Sequence, residues 1–325
     1  MDYTKAEAKS WAREKMVGHW STMVTPFTPA GKLDEAGLRK NIRYVLSLGT
    51  EGIGFTWSYG EFWALTMSER KKIAEIAVDE IAGKALVGIH TFDACQQNCL
   101  ELTKHAEATG ADLAILMSPY IAKTDQQVYE YFKSVADKVK IGIAIYNNPV
   151  ISGYLIPPGG IAKLADIENV VLTKEAYPQI HQILDVFKAA GNKIVVSSPN
   201  DEVYFYEPFY GIKQQVLFAS EYDWMCDTPK QQPRRKFMKL IAKGDYAQAA
   251  EVYREKVLPI KEIRHKWFRM FQRQGLFPVH LGKYWGELMG MVGGPVRVPS
   301  IPLTPSEQKS LREDLEKVGL LKAGK

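Results

Sequence analysis

Residues 141–175 read IGIAIYNNPVISGYLIPPGGIAKLADIENVVLTKE, and this stretch decides the fold. Short runs of consecutive apolar residues, Ile141–Tyr146 and Val170–Lys174, lie at its two ends and enclose a helical pattern over Pro158–Ala165. Consecutive apolar residues are typical of strands buried on both faces of a parallel sheet, whereas half-exposed antiparallel strands alternate. The stretch therefore predicts a strand–helix–strand unit with neighbouring parallel strands.

Similar units fill the first two thirds of the chain. The other predicted strands are Trp20–Thr25, Gly52–Thr56, Ala85–His90, Leu113–Ser118, Lys193–Ser197 and Gln215–Ser220. The other predicted helices are Leu33–Leu48, Thr66–Ile81, Ala94–Thr109, Asp125–Val139, Tyr177–Ala190 and Asp201–Tyr210. Eight strands that alternate with helices favour an α/β fold of the (β/α)8 TIM-barrel type over an open doubly wound sheet. The Gly-x-Gly-x-x-Gly pattern of a dinucleotide fold does not follow the first strand.

The pattern changes after Ser220. Residues 228–273, 277–290 and 305–320 predict helices with no strand between them. We therefore expect a C-terminal helical extension on the barrel, although a small separate domain fits the same pattern. The predicted division is an N-terminal helix over 1–17, the barrel over 18–225 and a helical region over 226–325.

Composition places few constraints on function. The 325 residues are 46% hydrophobic and 24% charged with a net charge of +5, which is ordinary for a soluble globular protein. The basic run Lys230–Lys236 is interpreted as a solvated helix face, and no aromatic and basic stripe points to nucleic acid. Residues 1–17 lack the apolar core of a signal peptide, and no apolar run has membrane-spanning length.

Cysteine usage adds an expectation about compartment. Cys95, Cys99 and Cys226 do not form a disulfide framework or a zinc motif, so buried free thiols are expected. A reducing, cytoplasmic location with no membrane association follows as the prediction.

Lys174 is the residue that points most directly to chemistry. It ends the apolar run Val170–Leu172, so its side chain begins in a buried strand, where lysine is rare without a reason. It is either paired with an acid, or a desolvated amine that can attack a carbonyl carbon. Glu175 is a poor partner because adjacent strand residues point to opposite faces. The residues alone leave both explanations open.

Other polar residues follow the predicted strands at the end where barrel enzymes carry their sites. Tyr146 ends the strand before Lys174, and a phenol there can relay protons to an imine. Ser58 and Tyr59, with Trp57 before them, follow strand two and offer donors to a carboxylate. Asn200 and Tyr222 follow strands seven and eight as further candidates for substrate binding. Each is equally compatible with an ordinary core or turn position.

Several motifs together resemble the dihydrodipicolinate synthase/N-acetylneuraminate lyase superfamily, from about residue 18 to about residue 320. The matching stretches are Thr25-Pro26-Phe27, Gly31–Asp34, Tyr59-Gly60-Glu61, Leu65-Thr66, Leu102–Ala106, Gly110–Asp112, Tyr146-Asn147-Asn148-Pro149, Ser152-Gly153, Thr173–Ala176, Lys283 and Gly293–Pro299. The tyrosine motif at one strand end and the Lys-Glu motif at the next form the most specific part of this signal.

The resemblance implies a (β/α)8 barrel with a C-terminal helical bundle, often assembled as a homotetramer. It also implies that Lys174 forms an imine with a 2-oxo acid such as pyruvate, that Tyr146 relays protons, and that Ser58 and Tyr59 hold the substrate carboxylate. The family needs no metal and no organic cofactor, because the covalent lysine imine itself is the electron sink.

Departures from the family pattern narrow the expected reaction. Dihydrodipicolinate-forming synthases carry an arginine two residues after Tyr-Asn-x-Pro, and a second tyrosine directly after Pro-Tyr. This chain has Ile151 and Ile121 there. The aromatic loop Trp57-Ser58-Tyr59 also differs from the threonine-rich loop of sialic acid lyases.

These features look more like the hydratase-aldolases, which add water to aromatic unsaturated 2-oxo acids and then release pyruvate and an aromatic aldehyde. Trp57, Tyr59, Phe62, Trp63, Tyr222 and Trp224 are candidates for the walls of such a pocket, and packing of the barrel rim is an equal alternative. Two other hypotheses remain: an aldolase or dehydratase of 2-keto-3-deoxy sugar acids, including a sialic-acid-lyase-like enzyme, and a non-catalytic 2-oxo acid binding relative.

Overall fold

The computed structural model describes residues 2–218 and 223–322. Its sheet has eight strands in the order β7-β6-β5-β4-β3-β2-β1-β8. The strands are β1 (Gly18–Thr22), β2 (Gly52–Phe55), β3 (Leu86–His90), β4 (Leu113–Met117), β5 (Gly142–Asn147), β6 (Val170–Glu175), β7 (Val195–Ser197) and β8 (Val216–Phe218). The paired strands from β2 to β7, and β1 with β8, run parallel.

The side chain of Ser197 bridges the remaining gap between β7 and β8. Ser197 Oγ donates to the carbonyl of Val216 at 2.9 Å and accepts from the amide of Phe218 at 3.1 Å. Because β8 also pairs with β1, these contacts bring the two ends of the sheet together. The predicted (β/α)8 barrel is therefore confirmed.

Helices separate the strands and then continue alone at the C-terminus. They are α1 (Ala8–Lys15), α2 (Glu35–Leu48), α3 (Met67–Ile81), α4 (Gln96–Thr109), α5 (Asp125–Ala136), α6 (Pro149–Ser152), α7 (Pro158–Leu164), α8 (Ile180–Ala190), α9 (Val203–Tyr210), α10 (Asp223–Cys226), α11 (Pro233–Ala242), α12 (Tyr246–Val252), α13 (Leu258–Arg273), α14 (Val279–Leu288) and α15 (Pro305–Lys317). Side-chain caps fix several beginnings, as where Asp34 accepts from the amide of Gly37 at 2.8 Å.

The interior of the barrel is filled by a tryptophan rather than left open. Trp20 of β1 is fully buried, and its ring lies 4.8 Å from the ring of Phe218 on β8. A Cβ atom on Gly52 would fall 2.2 Å from that indole, so only glycine leaves room for it. Gly88 also faces Trp20, at 3.7 Å for a built Cβ. Since alternate strand residues share a face, His90 projects into the same interior, nearer the carboxyl end of β3.

The chain divides into two compact units. The first contains Met1–Trp20, Glu51–Phe55 and Arg70–Ser220, and the second contains Ser21–Thr50, Thr56–Glu69 and Glu221–Lys325. In the first unit, Gln215 Nε2 donates to the carbonyls of Ala12, Arg13 and Met16. These bonds satisfy the C-terminal carbonyls of α1 and give Gln215 a structural role. The division of the chain at residues 17 and 225 stays a prediction.

Three sequence-based expectations are corrected. The helix predicted over 228–273 begins only at Pro233 and breaks at Gly244, which adopts a left-handed φ of 75°. The basic run is not simply a solvated face, because Arg234 is fully buried and its amide donates to Asp227 at 2.9 Å. Cys95 is exposed rather than buried. The short helix α6 was not predicted.

The predicted ends of the strands differ from the observed ends by up to three residues. β1 spans Gly18–Thr22 instead of Trp20–Thr25, because residues 23–25 already belong to the loop that follows it. The prediction for β8 extends to Ser220, and residues 219–220 lie outside the described part. Within residues 2–218 and 223–322, none of the helices combines the length and the apolar character needed to span a membrane.

Candidate active site

Lys174 and Tyr146 stand directly opposite each other at the carboxyl ends of β6 and β5. Lys174 is only 4% exposed. Its Nζ lies 5.5 Å from the ring centre of Tyr146 and 5.4 Å from that of Phe218, which belongs to β8. The amine is therefore inside the barrel, between aromatic rings from two strands. Such surroundings keep bulk water away from the amine, which is where a lysine that attacks a carbonyl carbon would have to lie.

The phenol of Tyr146 is oriented by a neighbour on its own strand end. Asn148 Nδ2 donates to Tyr146 Oη at 2.6 Å, and Asn148 Oδ1 accepts from the amide of Val150 at 3.1 Å, which caps α6. The phenol oxygen accepts this bond, so the hydroxyl group acts in it through a lone pair and not through its proton. Asn148 belongs to the Tyr146-Asn147-Asn148-Pro149 motif, but no role was predicted for it. Its position two residues after an interior tyrosine, on the loop that follows the strand, was the available signal.

Glu175 lies on the opposite face of β6 from Lys174, as the strand alternation predicts. Asn147 Nδ2 donates to its Oε2 at 2.7 Å, and Thr173 Oγ1 donates to its Oε1. Complete burial raises the pKa of Glu175 to about 7, against the lowering effect of these hydrogen bonds. Asn147 and Glu175 are register partners, so their bond fixes β5 against β6 at the level of Tyr146 and Lys174.

His90 is a further titratable group beside this pair. It ends β3, is fully buried, and meets the ring of Tyr146 edge-on with 6.1 Å between centres. Ring contacts continue from His90 to Phe92 at 6.0 Å and from Phe92 to Tyr120 at 5.5 Å, and Tyr120 is 44% exposed. A row of rings therefore leads from Tyr146 to the surface. His90 was not predicted as a site residue, although a histidine that ends an apolar strand was a visible signal.

The loop after β2 holds the predicted carboxylate-binding residues. Trp57, Ser58 and Tyr59 are all buried, and the loop is bounded by Thr56 and Glu61, which have left-handed φ angles of 54° and 53°. This conformation costs roughly 1–2 kcal/mol for a residue with a Cβ atom. Both ends of the loop are therefore held against a backbone preference by their surroundings.

Hydrogen bonds and close packing hold this loop in its shape. Thr25 Oγ1 donates to the carbonyl of Gly60 at 2.8 Å, and the amide of Glu61 donates to the carbonyl of Ser58 at 3.1 Å. A Cβ atom on Gly60 would lie 3.0 Å from the Cα of Thr56, so the loop folds tightly on its own first residue. The ring of Tyr59 meets Phe277 edge-on at 5.5 Å.

The two remaining predicted residues are less informative. Asn200 is half-buried, and its Nδ2 donates to the carbonyl of Tyr177 at 3.0 Å. The amide group of Asn200 thus connects the loops after β6 and β7, and its substrate-binding role stays a prediction. Tyr222 lies outside the described residues.

Comparison with known proteins identifies the family. A sequence model described as the dihydrodipicolinate synthetase family matches residues 15–318. The chain belongs to the dihydrodipicolinate synthetase family. A 4-hydroxy-tetrahydrodipicolinate synthase of Syntrophobacter fumaroxidans is 30% identical over 309 residues, which cover 94% of this chain and 99% of that protein. The family assignment shows a lyase-type enzyme that acts on carbon–carbon bonds.

Two solved structures extend the likeness to the whole fold of this dihydrodipicolinate synthetase family member. Dihydrodipicolinate synthase from Aquifex aeolicus is 28% identical with a TM-score of 0.79, covering 94% of this chain and 99% of that one. A prophage protein of the dihydrodipicolinic acid synthase family from E. coli K12, solved in complex with pyruvate, is 25% identical with a TM-score of 0.81, covering the same shares.

The family member described here departs from the synthase pattern at two positions that the structure resolves. Ile121, where the resemblance implies a second tyrosine in synthases, is 83% exposed. Ile151, where it implies an arginine, lies within the short helix α6 and is half-buried. Both positions carry aliphatic side chains, which cannot donate a hydrogen bond to a second carboxylate.

Proposed function

We propose that this protein is a class I lyase that cleaves or forms a carbon–carbon bond between pyruvate and an aldehyde through an imine on Lys174. The observation that carries the proposal is the position of Lys174 Nζ between the rings of Tyr146 and Phe218, with Tyr146 as its register partner. A desolvated amine beside an oriented phenol meets the two requirements of imine formation, a nucleophile and a proton donor.

The chemistry follows from these two groups. Lys174 Nζ attacks the C2 carbonyl of the 2-oxo acid, and Tyr146 donates the proton with which the carbinolamine oxygen leaves as water. The protonated imine then accepts the electron pair of the C3–C4 bond as the C4 hydroxyl gives up its proton and the aldehyde departs. The resulting enamine takes a proton at C3, and water releases pyruvate from Lys174. No metal or organic cofactor is part of this proposal.

The loop after β2 supplies the carboxylate site in this proposal. Ser58 and Tyr59 contribute a hydroxyl and backbone amides, and Trp57 contributes an apolar wall. Support comes from the fixed, buried conformation of the loop. Donors that are already ordered lose little conformational entropy when they bind an anion. The homotetramer that the resemblance implies remains part of the proposal.

An aromatic or otherwise apolar aldehyde is the proposed partner. The row of rings from Tyr146 through His90 and Phe92 to the half-exposed Tyr120 favours it, because aromatic surfaces pack well against one another. The aliphatic Ile121 and Ile151 argue against the aldehyde with a second carboxylate that synthases accept. A hydration step before cleavage, as in hydratase-aldolases, fits an unsaturated aromatic 2-oxo acid.

A product analysis tests this function. The protein is incubated separately with an aromatic unsaturated 2-oxo acid and with a 2-keto-3-deoxy sugar acid, and products are identified by mass spectrometry. We expect pyruvate and an aromatic aldehyde from the first substrate. One product plus water from the sugar acid alone would instead establish the dehydratase alternative. Absence of turnover with either substrate would favour the non-catalytic relative.

A further inference from the structure

A buried ion pair joins the loop after β2 to the C-terminal helix α14. Glu61 is fully buried and Lys283 is 2% exposed, and Lys283 Nζ lies 2.6 Å from Glu61 Oε2. Lys283 Nζ also donates to the carbonyl of Pro295 at 2.7 Å and lies 4.1 Å from the ring centre of Phe27. The other carboxylate oxygen of Glu61 accepts from the amide of Arg297 at 3.0 Å.

Gly282, the residue before Lys283, contacts the same loop at a second residue, Tyr59. A Cβ atom on Gly282 would lie 2.5 Å from two carbons of the Tyr59 ring, so this ring rests directly on the backbone of α14. Phe277, just before α14, packs edge-on against the rings of both Tyr59 and Trp63. One turn of helix therefore fixes both Tyr59 and Glu61.

Arg297 forms hydrogen bonds to the segment that follows the loop. Its guanidinium forms two bonds to the Glu69 carboxylate, at 2.8 and 2.6 Å, and another to the carbonyl of Ala64 at 2.9 Å. It also lies 4.0 Å from the ring centre of Phe27. The chain from residue 56 to residue 69 is thus attached to the C-terminal region at several places.

From these contacts we propose that Glu61 and Lys283 are positioning residues for the substrate carboxylate. They hold the loop in the one conformation in which Ser58 and Tyr59 bind pyruvate. This inference rests on the proposed function, and it makes the C-terminal helices a part of substrate binding.

The left-handed backbone at Glu61 gives the physical reason. A glutamate disfavours this conformation, and the pair with Lys283 and the bond from Arg297 offset that preference only while Glu61 is held in place. Without the lysine ammonium, the buried carboxylate has lost its counter-charge, and the loop is expected to relax toward ordinary backbone angles. The cost should appear in carboxylate binding, because Lys174 lies on β6 and is not part of the loop.

Borohydride trapping of two ketones separates this role from general damage. Pyruvate carries a carboxylate and acetone does not, while both can form an imine on Lys174. In Lys283→Met we expect the pyruvate concentration for half-maximal trapping to rise roughly 10- to 100-fold. The maximal trapping rate, and trapping of acetone, should stay within about threefold. Lys283→Arg, which keeps the charge, should recover part of the loss.

Gly282→Ala provides a second variant in case Lys283→Met does not fold. The added methyl group would displace the Tyr59 ring without removing a charge. We expect the same rise in the half-saturating pyruvate concentration, again without an effect on acetone. The matched control is Lys266→Met, which removes a lysine from an exposed 2.6 Å pair with Asp314 in the C-terminal region and should leave both ketones unaffected.

Two results would overturn the inference. One is unchanged half-saturation by pyruvate in the folded variants, and the other is an equal loss with pyruvate and acetone. Failure of the proposed function has a different signature, because the unmodified protein would then trap neither ketone at Lys174.

Discussion

Lys174 and Lys283 are both buried lysines, and their surroundings differ in kind. Lys283 sits on a helix with the Glu61 carboxylate and the Pro295 carbonyl within 2.7 Å of its Nζ. Lys174 ends a strand, and its Nζ lies between two aromatic rings about 5.5 Å away. In the first arrangement the lysine is paired directly with a carboxylate and a carbonyl oxygen. The second provides apolar ring faces and an oriented phenol, and it suits an amine that reacts.

The comparison teaches that burial of a lysine does not by itself mark a nucleophile. The position on a strand end beside an oriented phenol makes the distinction. Substitutions at the two lysines should therefore have separable consequences. Those at Lys174 should affect the chemical step, and those at Lys283 should affect substrate binding.

The largest effect is expected from Lys174→Met. This variant removes the nucleophile while keeping the apolar stem, so turnover should fall by more than about 10³-fold. The folded structure should survive, because methionine is close to lysine in length and fills the space of its buried stem. Steady-state assay of pyruvate release checks the first statement and circular dichroism the second. Residual activity within tenfold would place the nucleophile elsewhere.

A smaller loss is expected from Tyr146→Phe. The variant keeps the ring beside Lys174 but loses the proton donor, so the rate of imine formation should fall by about 10²-fold. Single-turnover trapping with pyruvate measures this rate. Tyr154→Phe is the control, because it removes a partly buried phenol that donates to Asp125 at 2.7 Å. An equal loss in both variants would show that Tyr146 has only a structural role.

The pH dependence of pyruvate binding sharpens the contrast between the lysines. Desolvation lowers the pKa of Lys283 to about 8, although Glu61 and Glu287 raise it; Arg297 lowers it further. The ammonium form therefore predominates below pH 8 and is lost above it. The pyruvate concentration for half-saturation should therefore rise by up to about tenfold between pH 7 and 9.

The Lys283→Arg variant tests the origin of that dependence. Arginine stays protonated throughout this range, so the weakening above pH 8 should disappear. The measurement is the half-saturating pyruvate concentration at each pH, compared between the two proteins. A parallel rise in both would assign the effect to another group.

The smallest effect concerns stability and comes from Glu175. Its pKa in the fold is about 7, above the ordinary value of 4.5, so between these values the folded protein binds more protons than the unfolded chain. Its contribution to the free energy of unfolding is thus complete below pH 4.5 and is lost as pH rises toward 7.

Glu175→Gln removes this proton uptake and keeps the acceptor for Asn147. Between pH 5 and 7.5 the melting temperature of the unmodified protein should fall by about 2–4 °C more than that of the variant. Asp223 and Asp227, whose pKa values burial raises to about 6 and about 7, contribute equally in both proteins. Identical pH profiles by differential scanning calorimetry would contradict this account of Glu175.

Much of the fold was predictable, because buried parallel strands have an apolar signature that depends on few other residues. The opposite faces of Lys174 and Glu175 follow from strand alternation alone. The break at Gly244 and the burial of Arg234 were not predictable in this way. A left-handed glycine between two helices and an arginine amide that donates to Asp227 depend on tertiary packing.

The candidate site was predictable only in part. Lys174 and Tyr146 end adjacent strands, so their proximity follows from register. The pairing of Glu61 with Lys283 joins residues more than two hundred positions apart, and no local pattern indicates it. His90 could have been predicted, because it follows an apolar run at a strand end as Tyr146 and Lys174 do.

The most direct test of the central claim is to map the site of imine formation. The protein is incubated with pyruvate and borohydride, digested, and analysed by peptide mass spectrometry. We predict a stable increment on Lys174 and none on Lys283, and no increment in Lys174→Met. Absence of the increment, or its appearance on another lysine, would contradict the account.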